Sequence, residues 1–363
     1  MTSFALERRP APRWWHAVLA PVVSVFAALL AGAVFLLLTD RSPSTVYRAL
    51  LESGFTTWFG FTDTVSVAIP LIFTGLAAAF AFRMNLYNIG AEGQLYAGAI
   101  ASAWAGLALA PHLPRPAALV AVLLAGAIGG ATWIVVPALT RAFLGTSEII
   151  TTLLLNYVAL YLMRYLIFGS ASYWRDPTST NFPQGKVIDP KAQLAVFGDT
   201  RVHWGLVVAL ALVVVFWAVR AFTSFGFDMK VLGDSPAAAR YAGIPVARTV
   251  ILVLLVSGAL GGLAGASEVA GRAYTLDPNG LALSLGYTGI VVAALARYNP
   301  FAVALVAIAM GGLQNAGISL QSTPGNHVPI AISYMLEGIV LLFALGGEVF
   351  RRHRLVLRRA VPA

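Results

Sequence analysis

The sequence predicts an all-α integral membrane protein with about ten transmembrane helices and both termini in the cytoplasm. Three observations predict it. Of 363 residues, 59% are hydrophobic and 11% charged. A soluble domain carries about 25% charged residues, so this chain has too few to cover a water-facing surface. The apolar residues come in runs of about 20, the length of helix that crosses a bilayer. The cations sort by side: with the N-terminus placed inside, 15 of the 24 Lys and Arg fall in inner connections, as the positive-inside rule requires.

In chain order, residues 1–14 form a cytoplasmic tail, 15–350 a single transmembrane domain, and 351–363 a basic cytoplasmic tail. The first apolar run, 15–38, is too long for a signal-peptide core and reads as a true span. Further runs stand at 65–82, 86–110, 116–138, 148–168, 203–222, 249–270, 285–299, 300–320 and 328–347. Full crossings and re-entrant pieces both fit 65–99 and 285–299. Two connections are long. The outer one, 169–202, is polar and Pro-containing, and reads either as a solvated linker or as a docking loop. The inner one is 223–248.

Composition excludes several classes. The net charge of +9 follows topology rather than forming a patch, so no nucleic-acid partner is expected. Cysteine is absent, which excludes disulfides and thiolate metal sites. Histidines at 16, 112, 203, 327 and 353 lack metal-ligand spacing. No paired carboxylates or nucleophile elbow suggest catalysis, so the chain is expected to be no enzyme and to bind no cofactor or metal itself.

The inner connection carries a short helix with both ends written into "DSPAAARYAG". Ser235 suits the N-cap, where its hydroxyl accepts a free backbone N–H. Pro236 fits the first helical position, whose N–H has no partner anyway. Ala237, Ala238 and Ala239 favour helix. Gly243 can take the left-handed conformation that ends it. Two turns do not stand alone in water. The helix therefore docks on something: its own bundle, or a cytosolic partner reached by Arg240 and Tyr241.

"NLYNIGAEGQ" (85–94), followed by "GDSPAAARYAGIPVARTVILVLLVSGALGGLAGASEVAG" from Gly233, resembles ABC-importer permeases of the ribose/branched-chain amino acid class. The likeness is to the nucleoside and simple-sugar branch served by basic-membrane-protein-type lipoproteins. It rests on Asn88, Ile89, Gly90, Glu92, Gly93 and Gln94, then on Gly233, Ala238, Ala239, Tyr241, Ala242, Gly243 and Ser257-Gly258. "TSEIITTLLLNY" (146–157) and "GYTGIVVAALARYNP" (286–300) extend it. The resemblance implies a multi-pass protein of a bacterial inner membrane. It implies a second, different permease chain, cytosolic ABC ATPase subunits and an external solute-binding lipoprotein as partners, besides membrane lipid. It further implies an internal repeat, nucleoside import, and coupling to the ATPase through Gly233, Ser235, Pro236, Ala238, Ala239, Arg240, Tyr241 and Gly243. ATP belongs to the partner: a phosphate loop ends Gly-Lys-Ser/Thr, whereas the lysines stand at 186, 191 and 230, and only Lys186 follows a glycine. A simple sugar or branched-chain amino acid is the alternative cargo. An ion-coupled carrier using Glu92 and Glu337 is the alternative class.

Polar residues at membrane depth face the bundle or a wet cavity. Asn88 and Glu92, four apart, share a face of a continuous helix, while Gly90 and Gly93 loosen it. The stretch 85–94 reads as a break or re-entrant bend beside the pathway. Two roles compete for Asn88, Glu92 and Gln94: contact with passing solute, or locking of neighbouring helices by hydrogen bonds. Arg83 is either the inner anchor of its span or a partner for Glu92. The same two roles stand for Asn156 and Tyr157 in "LLLNYVALYL" and for Gln314 and Asn315 in "GGLQNAG", because amides both donate and accept. Glu268 sits near the outer end of its span. Gly258, Gly262 and Gly265, at near-helical spacing, predict close helix packing rather than a binding site.

Overall fold

The computed structural model describes residues 2–8, 14–179, 181–281, 284–322 and 329–359. Arg9 and Arg13 of the N-terminal tail, and the last four residues of the basic tail, lie outside them. The chain begins with strand β1 (Thr2–Arg8) and helices α1 (Trp14–Leu38), α2 (Pro43–Leu51), α3 (Trp58–Phe82), α4 (Ala91–Ala108), α5 (Arg115–Trp133), α6 (Val135–Leu139) and α7 (Glu148–Arg164). It continues with α8 (Gly205–Phe222), α9 (Ser224–Asp234), α10 (Pro236–Tyr241), α11 (Val246–Glu268), α12 (Pro278–Leu281), α13 (Leu285–Leu295), α14 (Pro300–Ser322), α15 (Ile330–Arg352) and strand β2 (His353–Arg359). Seven helical stretches among the described residues are long and apolar enough to cross a membrane, so the chain is a multi-pass helical membrane protein. The wholly helical expectation is corrected at the two ends. Thr2 to Arg8 pairs antiparallel with Arg359 to His353, and this pairing satisfies main-chain groups that no helix covers.

The residues up to 53 and from 316 onward form one compact unit, and residues 54–315 another. In the first, α1 and α15 lie along each other. A side chain at Gly32 would meet Leu336 and Tyr47, and the Tyr47 hydroxyl donates to the Leu29 carbonyl at 2.6 Å.

The second unit is built round α3, in which every residue from Thr64 to Phe82 is buried. A helix apolar on all sides belongs at the centre of a bundle. Helices α11 and α13 pack on α3, and α4 and α5 pack on α11. The outward faces of α5 (Val120, Leu124, Ile128) and α8 (Val207, Leu210, Val214) are mainly aliphatic, with Trp217 and Phe222 at one end of α8, as suits a lipid-facing surface. Where α4, α5 and α11 cross, Gly98, Gly126, Gly130, Gly258, Gly262 and Gly265 let backbone lie on backbone. The packing role expected of the last three is borne out.

One end of this unit gathers Arg83, Arg220 and α9: Asn85 Nδ2 donates to the Gly233 carbonyl at 2.7 Å. This end gathers cations, as the positive-inside rule expects of an inner end. At the opposite end Arg201 pairs with Asp63 at 3.1 Å. The outer segment there is packed, which overturns its reading as a solvated linker. Ile188, Ala192 and Leu194 are buried. The Ile188 N–H donates to Tyr274 O at 2.9 Å, Asp189 N–H to Gly106 O at 3.2 Å, and Leu194 N–H to Ala270 O at 2.8 Å.

His203, in this segment ahead of α8, is fully buried, with its ring against Gly205 and Gly271. Burial, and then the Arg272 charge, pull its pKa down to about 4. Above pH ~6.5 the ring is neutral both folded and unfolded. Below it the unfolded chain takes up the proton first, so stability falls with pH until about 4. The loss reaches roughly 3 kcal/mol. We expect the thermal midpoint of the purified chain to drop between pH 6.5 and 4 by clearly more than that of His203→Gln. Parallel curves would remove His203 as the cause.

Candidate functional site

The break between α3 and α4 covers residues 83–90, and α4 starts at Ala91. Glu92 and Gln94 are therefore in the first turn of a helix while Asn88 precedes it. The expectation that Asn88 and Glu92 share one helical face is corrected: Gly90 ends the irregular stretch later than a continuous helix allows. Asn85 takes φ 54°, a left-handed turn that asparagine tolerates.

Asn88 is fully buried, and every hydrogen-bonding group of its amide has a partner. Its Oδ1 accepts from Gly90 N–H at 2.9 Å and Gln94 Nε2 at 2.9 Å. Its Nδ2 donates to Gln94 Oε1 at 3.0 Å and Ser257 Oγ at 2.8 Å. Ser257 Oγ passes its own proton to Ala77 O at 2.7 Å. Asn88 and Gln94 thus form a reciprocal amide pair that ties the break to α11 and α3. Ser257 sits near the middle of α11, so this knot lies at membrane depth.

Two helices begin inside the bundle, and each has its first-turn N–H groups capped by a side chain from elsewhere. Free N–H groups and a positive dipole end make such starts attractive to acceptors. Asn156 of α7 caps α4: its Oδ1 accepts from Gly93 N–H at 2.8 Å, and its Nδ2 donates to Ile89 O at 2.9 Å and Tyr287 Oη at 3.0 Å. Glu92 caps α13: its Oε2 accepts from Gly286 N–H at 2.6 Å, while Oε1 accepts a hydrogen bond from the Tyr96 hydroxyl. Arg83 is not its partner. Leu285, the first residue of α13, gives its carbonyl to Thr74 Oγ1 at 3.1 Å, which sets that helix start beside α3 well inside the bundle.

Asn88, Glu92, Gln94 and Asn156 therefore meet in one polar seam. Tyr157, next to Asn156 on α7, borders it, but its side chain is half exposed and faces outward. Gln314 and Asn315 stand apart. Gln314 Nε2 donates to Thr288 Oγ1 at 2.9 Å, and Asn315 Nδ2 to Gly60 O at 3.1 Å, toward the outer end of α3. Sequence reasoning did not place Tyr96, Ser257 or Tyr287 in this seam, although Ser257 and the stretch holding Tyr287 belong to the family motifs. Tyr96 was within reach, four residues after Glu92 on one helical face; the other two come from remote helices.

The inner connection holds α9 as well as the expected short helix. Helix α10 has the caps its sequence specifies. Ser235 Oγ accepts from Ala238 N–H at 3.2 Å, Pro236 occupies the first turn, and Gly243 takes φ 76°. Ala239 is buried, while Arg240 is exposed and Tyr241 is 97% exposed. A side chain at Gly233 would strike the Arg83 carbonyl, so this glycine lets α9 end against the start of the break. Glu148, paired with Arg141 at 3.1 Å, clamps the same stretch by accepting from Tyr87 N–H at 2.9 Å.

Residues 60–345 match the family described as branched-chain amino acid transport system / permease component. The chain belongs to that permease family. This permease is 35% identical to a glucose ABC transporter permease protein of Haloferax volcanii, over 96% of this chain and 92% of the relative. It is 32% identical to a guanosine ABC transporter permease protein of Bacillus subtilis, over 92% of this chain and 94% of the relative. It is 30% identical to a nucleoside ABC transporter permease protein of Lactococcus lactis subsp. cremoris, over 90% of this chain and 92% of the relative. The permease is a transport subunit rather than an enzyme, and the ion-coupled carrier gives way to the ABC-importer class.

Proposed function

We propose that this permease is one of two different transmembrane chains of an ATP-driven nucleoside importer in a bacterial inner membrane. It crosses that membrane ten times with both termini in the cytoplasm. An external lipoprotein delivers the solute, and cytosolic ABC ATPase subunits bind and hydrolyse the ATP. The observation that carries this reading is α10, a doubly capped helix that leaves Tyr241 and Arg240 exposed on a chain with no phosphate loop. Movement of α10 has a short route to the seam. Gly233, Ser235, Pro236, Ala238 and Ala239 join α10 to α9, the end of α9 is bonded to Asn85, and three residues on stands Asn88. Alternating access then arises as the ATPases rock the inner end against the capped helix starts.

Within this reading Asn88, Gln94 and Glu92 lock helices, because their hydrogen-bonding capacity is spent on the protein. Asn156, buried and bonded to Gly93, Ile89 and Tyr287, locks helices in the same way, so solute contact falls first to the exposed Tyr157 beside it, with Gln314 and Asn315 toward the outside. The guanosine and nucleoside relatives support a nucleoside as cargo. The glucose relative favours a simple sugar as the second reading.

The whole complex, reconstituted with ATP inside inverted-free vesicles and its lipoprotein outside, tests this. Guanosine uptake should require ATP and yield to unlabelled adenosine at concentrations at least tenfold below glucose. Glucose competing better would transfer the cargo to the sugar reading. Gradient-driven accumulation by this chain alone would overturn the importer.

A further inference from the structure

The exposed face of α7 carries three tyrosines and an arginine. With its last turn, α7 runs from Glu148 to Gly169 over 22 residues, about 33 Å at 1.5 Å per residue. Its buried side carries Thr152, Asn156, Ala159 and Met163. Opposite stand Ile150 and Leu154 in the inner half, then Tyr157 (55% exposed), Tyr161 (62%), Arg164 and Tyr165 (59%) in the outer half. Tyr157 lies about 14 Å from the inner end, near the middle of the span. None of these three hydroxyls, nor the Arg164 guanidinium, makes a side-chain hydrogen bond or ion pair with a described residue.

Hydrocarbon does not tolerate such a face. An unsatisfied hydroxyl at the depth of Tyr157 and Tyr161 has no water to turn to, whereas the middle of the outward faces of α5 and α8 is aliphatic at Val120, Leu124, Ile128, Val207, Leu210 and Val214. A helix-to-helix interface does not fit either. Membrane interfaces favour small residues, and none stands among Ile150, Leu154, Tyr157, Tyr161, Arg164 and Tyr165. The face also adjoins the polar seam, because Tyr157 follows Asn156 directly on α7.

We infer that Tyr157, Tyr161 and Arg164 form the wet wall of the solute pathway and that the purine or pyrimidine base of the solute stacks on the two tyrosine rings as it passes. This rests on the nucleoside reading above. The rings are one turn apart, about 6 Å along the helix, so a base leaving one meets the next. Stacking is indifferent to which base is presented, and the phenol groups and Arg164 can serve the sugar hydroxyls and base acceptors. Specificity for an aromatic solute over a plain sugar then resides in this wall.

The absence of cysteine makes the test direct. Single variants Tyr157→Cys and Tyr161→Cys, with Leu124→Cys and Ile128→Cys on the aliphatic face of α5 as references, are labelled in the assembled complex with a charged, membrane-impermeant thiosulfonate. Positions 157 and 161 should react at least tenfold faster than 124 and 128, and saturating guanosine should slow them at least threefold. Equal rates would make the α7 face a lipid surface. Labelling of the isolated chain but not of the complex would give the face to the second permease. Either result overturns the inference. In uptake assays Tyr161→Phe should keep the guanosine KM within twofold, and Tyr161→Leu should raise it at least fivefold with kcat little changed. A wild-type complex that imports guanosine while Tyr161→Leu behaves identically removes the stacking wall alone. A wild type that imports glucose and not guanosine removes the nucleoside reading first.

Discussion

Replacing Gly262 by alanine is expected to unfold or severely destabilise the permease, whereas the same change at Gly338 leaves it as stable or more so. A methyl group on Gly262 would land on the Gly126 carbonyl and within 2.9 Å of the Gly130 backbone. On the same seam, one on Gly98 would strike Gly262, and one on Gly265 would strike the Leu95 carbonyl. These obstacles are main chain, so no rotamer change relieves them, and α4, α5 and α11 would have to separate. Overpacking a core costs about 1–3 kcal/mol when side chains can give way, and this site belongs at or beyond the upper limit. Gly338 has nothing within 4 Å of an added methyl, and alanine is the better helix former by about 1 kcal/mol. Thermal unfolding of the two purified variants checks the contrast. A Gly262→Ala midpoint equal to wild type would show that the three helices are not in backbone contact.

That crossing was readable in advance, because glycines at helical spacing in an apolar run have one common use. The break after α3 was readable for a similar reason: Asn, Glu, Gln and Gly do not sit in a lipid-facing helix without cause. Its internal geometry was not readable. Whether Asn88 is the last residue of a loop or the first turn of a helix depends on Gln94 and Ser257 reaching it, and Ser257 lies 169 residues away in sequence. The capping of α13 by Glu92 has the same character, since nothing local to "NIGAEGQ" tells of Gly286. The outer segment stayed open between linker and docking loop because its prolines, glycines and charges fit both. Its burial comes from Ile188, Ala192 and Leu194 borrowing carbonyls from Tyr274, Gly106 and Ala270, partners that only the folded bundle supplies. The terminal strands were missed because "HRLVLRR" carries more topology signal, as a run of cations, than strand signal.

Helix α10 reverses that pattern, because nearly everything that specifies it is local, and it yields the second large expected effect. Six residues form too short a helix to persist on propensity. Ser235, Pro236 and Gly243 hold its ends, and burial of Ala239 holds its underside. Losing the Ser235 cap by Ser235→Ala should cost about 1 kcal/mol and weaken coupling in part. Gly243→Pro should destroy the helix end, since proline cannot take the φ of 76° seen there and is fixed near −65°. Tyr241→Ala separates the peg's own fold from its partner's grip. A side chain that is 97% exposed contributes almost nothing to the chain that carries it, so the thermal midpoint of the isolated permease should not move. Tyr241→Ala combined with Arg240→Glu should nevertheless lower ATP-driven uptake at least tenfold and release the ATPase during purification. The pairing of an unchanged midpoint with lost coupling is what a docking peg requires and what a bundle-packing helix forbids. If the double variant keeps both its ATPase and its uptake, α10 is part of the permease's own packing and the route from Gly233 to Asn88 carries no work.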